Sequence, residues 1–231
     1  LTFGPDHLWS YSAGEKATLL GGRLTLNADA YYIDWKDVQT RLLLNCSYFF
    51  TENKGEITSK GIEAESTFKL TRELTLSGNV AYNDSQADGN IITVGAFNGD
   101  QTPYFPAWIA SAFLYYDRPL AQGMLHAQAS YHYRASETNQ FSQYATTDVN
   151  NTLVATGLSP TFARIPASND VAASLAYDFD RYEIGVYGVN LIDGVKVTDI
   201  GKATYFAIYQ AGDRDTVARP RTVGVRLKAK F

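Results

Sequence analysis

Few residues in this chain could do chemistry, and their spacing argues against most of it. Histidine occurs only at His7, His126 and His132, and Cys46 is the single cysteine. Cys46 can form no internal disulfide, and with no second cysteine near it a zinc site has no support. His126 and His132 fall on one alternating segment, about 20 Å apart at roughly 3.3 Å per residue, which is too far to share a metal ion or a substrate atom. Glu63 and Glu65 come nearest to a paired-carboxylate acid–base site, yet a spacing of two along a strand is simply the pleat repeat. No serine elbow accompanies these groups. The residue types describe a polar lining rather than a catalytic site, and they imply no metal and no cofactor.

The elements that carry these residues alternate with period two. Leu125, Ala127, Ala129, Tyr131 and Tyr133 interleave with His126, Gln128, Ser130, His132 and Arg134. Leu24, Leu26, Ala28, Ala30 and Tyr32 are likewise opposed by Arg23, Thr25, Asn27, Asp29 and Tyr31. Ile62, Ala64, Phe68 and Leu70 alternate with Glu63, Glu65, Thr67 and Lys69, and Val223, Val225, Leu227, Ala229 and Phe231 with Thr222, Gly224, Arg226, Lys228 and Lys230. One apolar and one wet face per strand is the pattern of transmembrane β-strands. Composition agrees: hydrophobic residues make up 45% and aromatics 13%, with 16 tyrosines, yet the mean hydropathy is −0.21. No run reaches the roughly 18 to 20 apolar residues of a spanning helix. A net charge of −4 and a pI near 5.4 argue against a nucleic-acid partner, which would need clustered lysine and arginine.

The connections separate a barrel from a soluble sandwich. Tight turns are expected at Leu20-Gly21-Gly22, Thr71-Arg72-Glu73, Asp117 to Gly123 and Asp178-Phe179-Asp180-Arg181. Long polar loops alternate with them, at Leu44 to Gly55, Gln86 to Pro103, Glu137 to Arg164 and Asp193 to Arg219. Short turns on one rim and long loops on the other are what outer-membrane barrels have. Aromatics near strand ends, among them Tyr32, Trp35, Tyr104, Trp108, Tyr177 and Tyr182, suit two interfacial girdles. The count is about nine strands, over residues 8–19, 22–43, 55–70, 73–86, 104–117, 123–136, 164–178, 181–192 and 219–231. An odd count beginning on the long-loop side reads as the tail of a larger barrel, because single-chain bacterial barrels have an even number of strands.

Several stretches, in order, resemble the C-terminal part of TonB-dependent outer-membrane receptors. They are Ser10 to Lys16, Arg23 to Gln39, Asn53-Lys54-Gly55, Ser59 to Glu65, Leu74 to Asn83, Asn190-Leu191-Ile192-Asp193 and Arg219 to Gly224. The resemblance implies an all-β, antiparallel transmembrane barrel of 22 strands, to which residues 1–231 contribute about nine. A plug domain and a TonB box would lie outside this chain. It also implies import of a scarce ligand (a ferric siderophore, cobalamin or a glycan) across the bacterial outer membrane. The implied energy source is the TonB-ExbB-ExbD complex, and the protein would not be an enzyme. Phe231, closing an alternating strand, looks like the signal read by the barrel assembly machinery, and outer-membrane lipid and lipopolysaccharide would surround the wall.

Ligand contacts are expected in the long loops, because exposed segments on a rigid scaffold are where binding sits. The candidates are Gln101, Phe141, Tyr144, Phe162, Tyr205, Tyr209 and Arg214: aromatics among hydroxyls and amides that could stack on a siderophore or a sugar. The rival reading is a self-contained passive porin or small barrel, which the presence of a plug domain would exclude.

Overall fold

The computed structural model describes residues 3–43, 49–147, 153–159, 161–201 and 214–230. Period-two alternation becomes one antiparallel sheet of nine strands, each paired with its neighbours in sequence. We number them β1 (His7–Leu19), β2 (Leu24–Lys36), β3 (Glu56–Lys69), β4 (Leu74–Asp88), β5 (Trp108–Leu120), β6 (Gly123–Arg134), β7 (Ser168–Phe179), β8 (Tyr182–Val189) and β9 (Thr222–Ala229). The cross-strand register sorts the two faces. One row runs Leu24, Phe68, Leu76, Leu114, Ala129, Ala173, Gly188, Val223. A row of the opposite face runs Asn27, Glu65, Asn79, Ser111, His132, Asp170. A slip of one residue in any pair would put its charges on the apolar face, so the register is strongly specified.

The apolar face is bare. Val223, Val225 and Leu227 are 70%, 67% and 74% exposed on β9. The buried hydrophobic residues among those described are Val38, Ala87, Ile91, Ala96, Ala163, Ile165 and Ala176. The two of these that lie in the nine strands, Ala87 and Ala176, have the parity of the polar face. A soluble sandwich would bury its apolar face against a second layer; this sheet leaves that face for lipid. Aromatics edge it at both ends. Trp9, Tyr11, Tyr32, Tyr82 and Trp108 lie toward the long loops, with the Tyr82 and Trp108 rings 4.8 Å apart. Tyr177, Phe179 and Tyr182 lie toward the short turns, with Phe179 and Tyr182 5.9 Å apart.

Nine strands are present as expected, but several boundaries move. The segment expected to run unbroken over 22–43 breaks after Lys36, where Asp37 takes φ 55°. Residues Gln39–Leu43 then pair with Phe49–Asn53 as a separate ribbon inside the first long loop. The turn expected over Asp117 to Gly123 is only Ala121-Gln122, because β5 runs to Leu120 through Pro119. That proline loses no ladder bond: the N–H two residues earlier, on Asp117, already meets Glu73 at the start of β4, so the missing N–H of Pro119 points past the end of its neighbour. Strand β7 begins at Ser168, since Arg164–Ile165 pairs instead with Glu137–Thr138. The loops thus hold secondary structure of their own, including ribbons of Gln143–Thr147 with Leu153–Leu158 and of Val197–Gly201 with Arg214–Val217.

Candidate ligand-binding site

The long loops pack into a layer over one rim of the wall. Its small apolar core is Ala87, Ile91 and Ala96, with Val94 and Phe141 packed against it. Gly55 lets the first loop into contact with this core. A β-carbon there would stand 2.3 Å from Ile91 Cδ1, and the residue holds φ +104°, a conformation that costs glycine little. Just before it, Asn53 accepts from the Gly4 N–H at 2.6 Å and donates from Nδ2 to the carbonyls of Gly4 and Asp37, each at 3.0 Å. The Asn53-Lys54-Gly55 stretch therefore pins the chain entering β1 to the first loop, and that loop to the second.

Polar contacts across the second, third and fourth loops complete the layer. The Tyr104 hydroxyl donates to Asp199 Oδ1 at 3.0 Å. Burial, then this bond to the Asp199 carboxylate and its charge, raise Tyr104 above the ordinary phenol value. Asn139 Nδ2 donates to Thr161 O at 2.9 Å and to Ile200 O at 3.0 Å, while its Oδ1 accepts from the Ala163 N–H at 2.8 Å. Gln140, Ser159 and Thr161 form a closed set of side-chain hydrogen bonds. On the wall below, Arg134 pairs with the buried Glu137 and donates from Nη2 to Val197 O at 3.1 Å.

The candidates from sequence fall into this layer unevenly. Gln101 bridges to Gln86 and donates from Nε2 to Phe105 O at 2.7 Å. Phe141 packs on the loop core; its neighbour Ser142 bonds Asp100 Oδ2 at 3.5 Å, which puts Gln101 and Phe141 in one neighbourhood. Phe162 is half-buried and its N–H meets Ser159 O at 3.0 Å. Arg214 opens the last ribbon opposite Gly201 and is exposed. Tyr144 lies in the third-loop ribbon, with its side chain outside the described set. Tyr205, Tyr209 and Phe231 lie outside the described residues. Tyr104, read from sequence as a girdle aromatic, lies in the loop layer instead, and Asn139, Asp170, Lys196 and Asp199 join it without having been among the candidates. Their partners are tens of residues away, and no local pattern marks such contacts.

The polar face of the wall supplies the floor. Asn27 donates to Glu65 across β2 and β3, and a depression of about 580 Å³ is lined there by Lys16, Asn27, Asp29, Glu63, Glu65 and Asn79, among others. Nearer the short turns, His126 stands between Asp117 at 2.5 Å and Asp178 at 3.9 Å, and Arg226 meets Glu183 at 2.8 Å. Among the described residues no group of three or more His, Cys, Asp or Glu side chains could hold a metal. The layer and floor offer hydroxyls, amides, paired charges and aromatic rings, which is chemistry for holding a polar ligand.

The profile of the family described as TonB dependent receptor-like, beta-barrel, matches residues 3–191. The chain belongs to that family, whose members are outer-membrane transport receptors and not enzymes. It is 35% identical over 91 residues to the metal-pseudopaline receptor CntO of Pseudomonas aeruginosa, a match covering 38% of this chain and 13% of that one. The structure resembles the ferric yersiniabactin uptake receptor FyuA of Yersinia pestis with a TM-score of 0.72 and 19% identity, over 98% of this chain and 30% of that one. It also resembles the ferric-catecholate import receptor Fiu of K12 E. coli, with a TM-score of 0.68 and 18% identity, over 99% and 28%. At these identities the structural likeness speaks for the fold. The chain spans less than a third of the length of each of these relatives.

Proposed function

We propose that this chain is wall and outer loops of a receptor that imports a scarce metal chelate of the siderophore class, driven by the TonB-ExbB-ExbD complex. The observation that carries the reading is the folded loop layer set over the polar face of a lipid-facing wall, in a chain of this family. Among the broader ligand classes of siderophore, cobalamin and glycan, the metal-pseudopaline, yersiniabactin and catecholate receptors among its relatives favour metal chelates. The same reading makes a plug domain in the full protein, the barrel assembly machinery and outer-membrane lipopolysaccharide its further partners.

The test is accumulation of radiolabelled iron or zinc, supplied as catecholate, yersiniabactin or pseudopaline complexes, by cells expressing the full-length protein. Saturable uptake that vanishes when TonB is deleted is the expected result. Unsaturable, TonB-independent entry of small solutes would instead mean a passive porin.

A further inference from the structure

After β8 the chain turns inward rather than away from the wall. Lys196 Nζ lies 2.7 Å from Asp170 Oδ2, and Asp170 is on the polar face of β7 opposite His132. One residue on, Val197 O accepts from Arg134 on β6 at 3.1 Å. Asp199 then meets Tyr104 of the second loop and Ile200 O meets Asn139 of the third, each at 3.0 Å. Within five residues the chain thus passes over β7, then β6, then the loops that flank the β5–β6 hairpin. The Ala218 N–H closes the base by bonding Lys196 O at 2.8 Å.

The Lys196 contact differs from the other tethers. Its side chain is only 15% exposed, unusual for a loop lysine, which ordinarily keeps its ammonium in water. Asp170 needs it, because Oδ1 of that carboxylate is buried and without a hydrogen-bond partner among the described residues. Asp170 is 30% exposed, so the pair is partly buried; removing one member leaves the other partly desolvated and uncompensated, and the contact favours the placement of the loop that makes it.

We propose that Asp170 and Lys196 form the anchor of a strap, residues 196–201, that crosses the upper polar face and narrows the way into the barrel. The proposal deepens the import reading, on which the lumen is the ligand's route, but its test needs no ligand. Ala172 lies one pleat below Asp170, with the same facing on β7. In the full-length receptor with Cys46→Ser, Ala172→Cys is reacted with a fluorescent maleimide in outer-membrane vesicles. Asp170→Asn or Lys196→Met raises the labelling rate about fivefold, because it raises the fraction of molecules with the strap off the wall. The exchanged pair, Asp170→Lys with Lys196→Asp, brings the rate back toward that of the parent. Equal rates in all four proteins overturn the anchor. So does a raised rate in the exchanged pair equal to that of the single variants, since that marks loss of packing rather than loss of a charge pair. A nitroxide on Val195→Cys, at a site 81% exposed, gives a second measure should a single variant assemble poorly: the strap loosens in the singles and tightens again in the exchange, and unchanged mobility throughout overturns the anchor. Absence of chelate uptake would remove the import reading and leave these labelling results standing.

Discussion

Gly61 shows how little room the polar face leaves at single positions. A β-carbon there would stand 2.2 Å from the Tyr82 carbonyl oxygen and 2.6 Å from the Tyr31 hydroxyl. Tyr31 lies across the glycine to donate to Asn83 Oδ1 at 3.0 Å, which also accepts from Ser59. Gly61→Ala is expected to cost about 1–3 kcal/mol, the usual penalty of overpacking, read as a lower urea midpoint for unfolding of the full-length barrel in micelles. Asn53→Ala removes one acceptor and two well-formed donor contacts. It should speed hydrogen exchange at Gly4 and Lys54 while leaving β6 and β7 protected. Tyr104 gives a pH signature. Its proton is held more tightly in the fold than in the unfolded chain, so the stabilisation is present below the ordinary tyrosine value of about 10 and is lost as pH rises through the raised one. A nitroxide at Val195→Cys should therefore gain mobility on alkaline titration of the parent. Tyr104→Phe, lacking the Asp199 bond, should start more mobile and show less of that step.

At the scale of elements, β9 puts Val225 toward lipid and Arg226 toward the polar face, where it meets Glu183. Val225→Lys is expected to destabilise the barrel by roughly 2 kcal/mol, within the range for a lysine on the lipid face and less near an interface. Arg226→Lys should cost less, because Arg226 is itself exposed and a lysine there keeps a positive charge toward Glu183. Refolding into lipid vesicles under a urea gradient measures both, and equal costs would contradict the facing assigned here. The elements also show why some boundaries were hard to read. Asp37 and Asn53 end and pin segments through contacts distant in sequence, so residues 39–43 read as a continuation of β2 when they are a ribbon of the loop.

For the whole molecule, the question is which face meets lipid, and the tryptophans can answer it. Trp9 and Trp108 have the parity of the apolar face and are largely exposed. Trp35 has the opposite parity and donates from Nε1 to Asp6 at 2.8 Å. In single-tryptophan variants, lipids carrying a quencher at headgroup depth should dim Trp9 and Trp108 strongly and Trp35 weakly. Comparable quenching of all three would mean that the sheet does not present one face to the bilayer.

Alternation determined that this is a strand protein with one apolar side, because the period of two is local, and the asymmetry between short turns and long loops marked that side as the one facing lipid. The short turns and the order of the motifs followed from the same local information, and with them the nine-stranded meander and the family. Residues able to touch a ligand could be guessed only as loop aromatics and amides, and Phe141 shows why that is not enough: its ring packs on Ile91 and its neighbours, a contact across some fifty positions. The joining of Tyr104 to Asp199, of Asn139 to Ile200 and of Lys196 to Asp170 was decided by the tertiary structure. Such contacts depend on how the wall brings distant loops to one rim, and no property of a residue and its sequence neighbours encodes which loop will meet which.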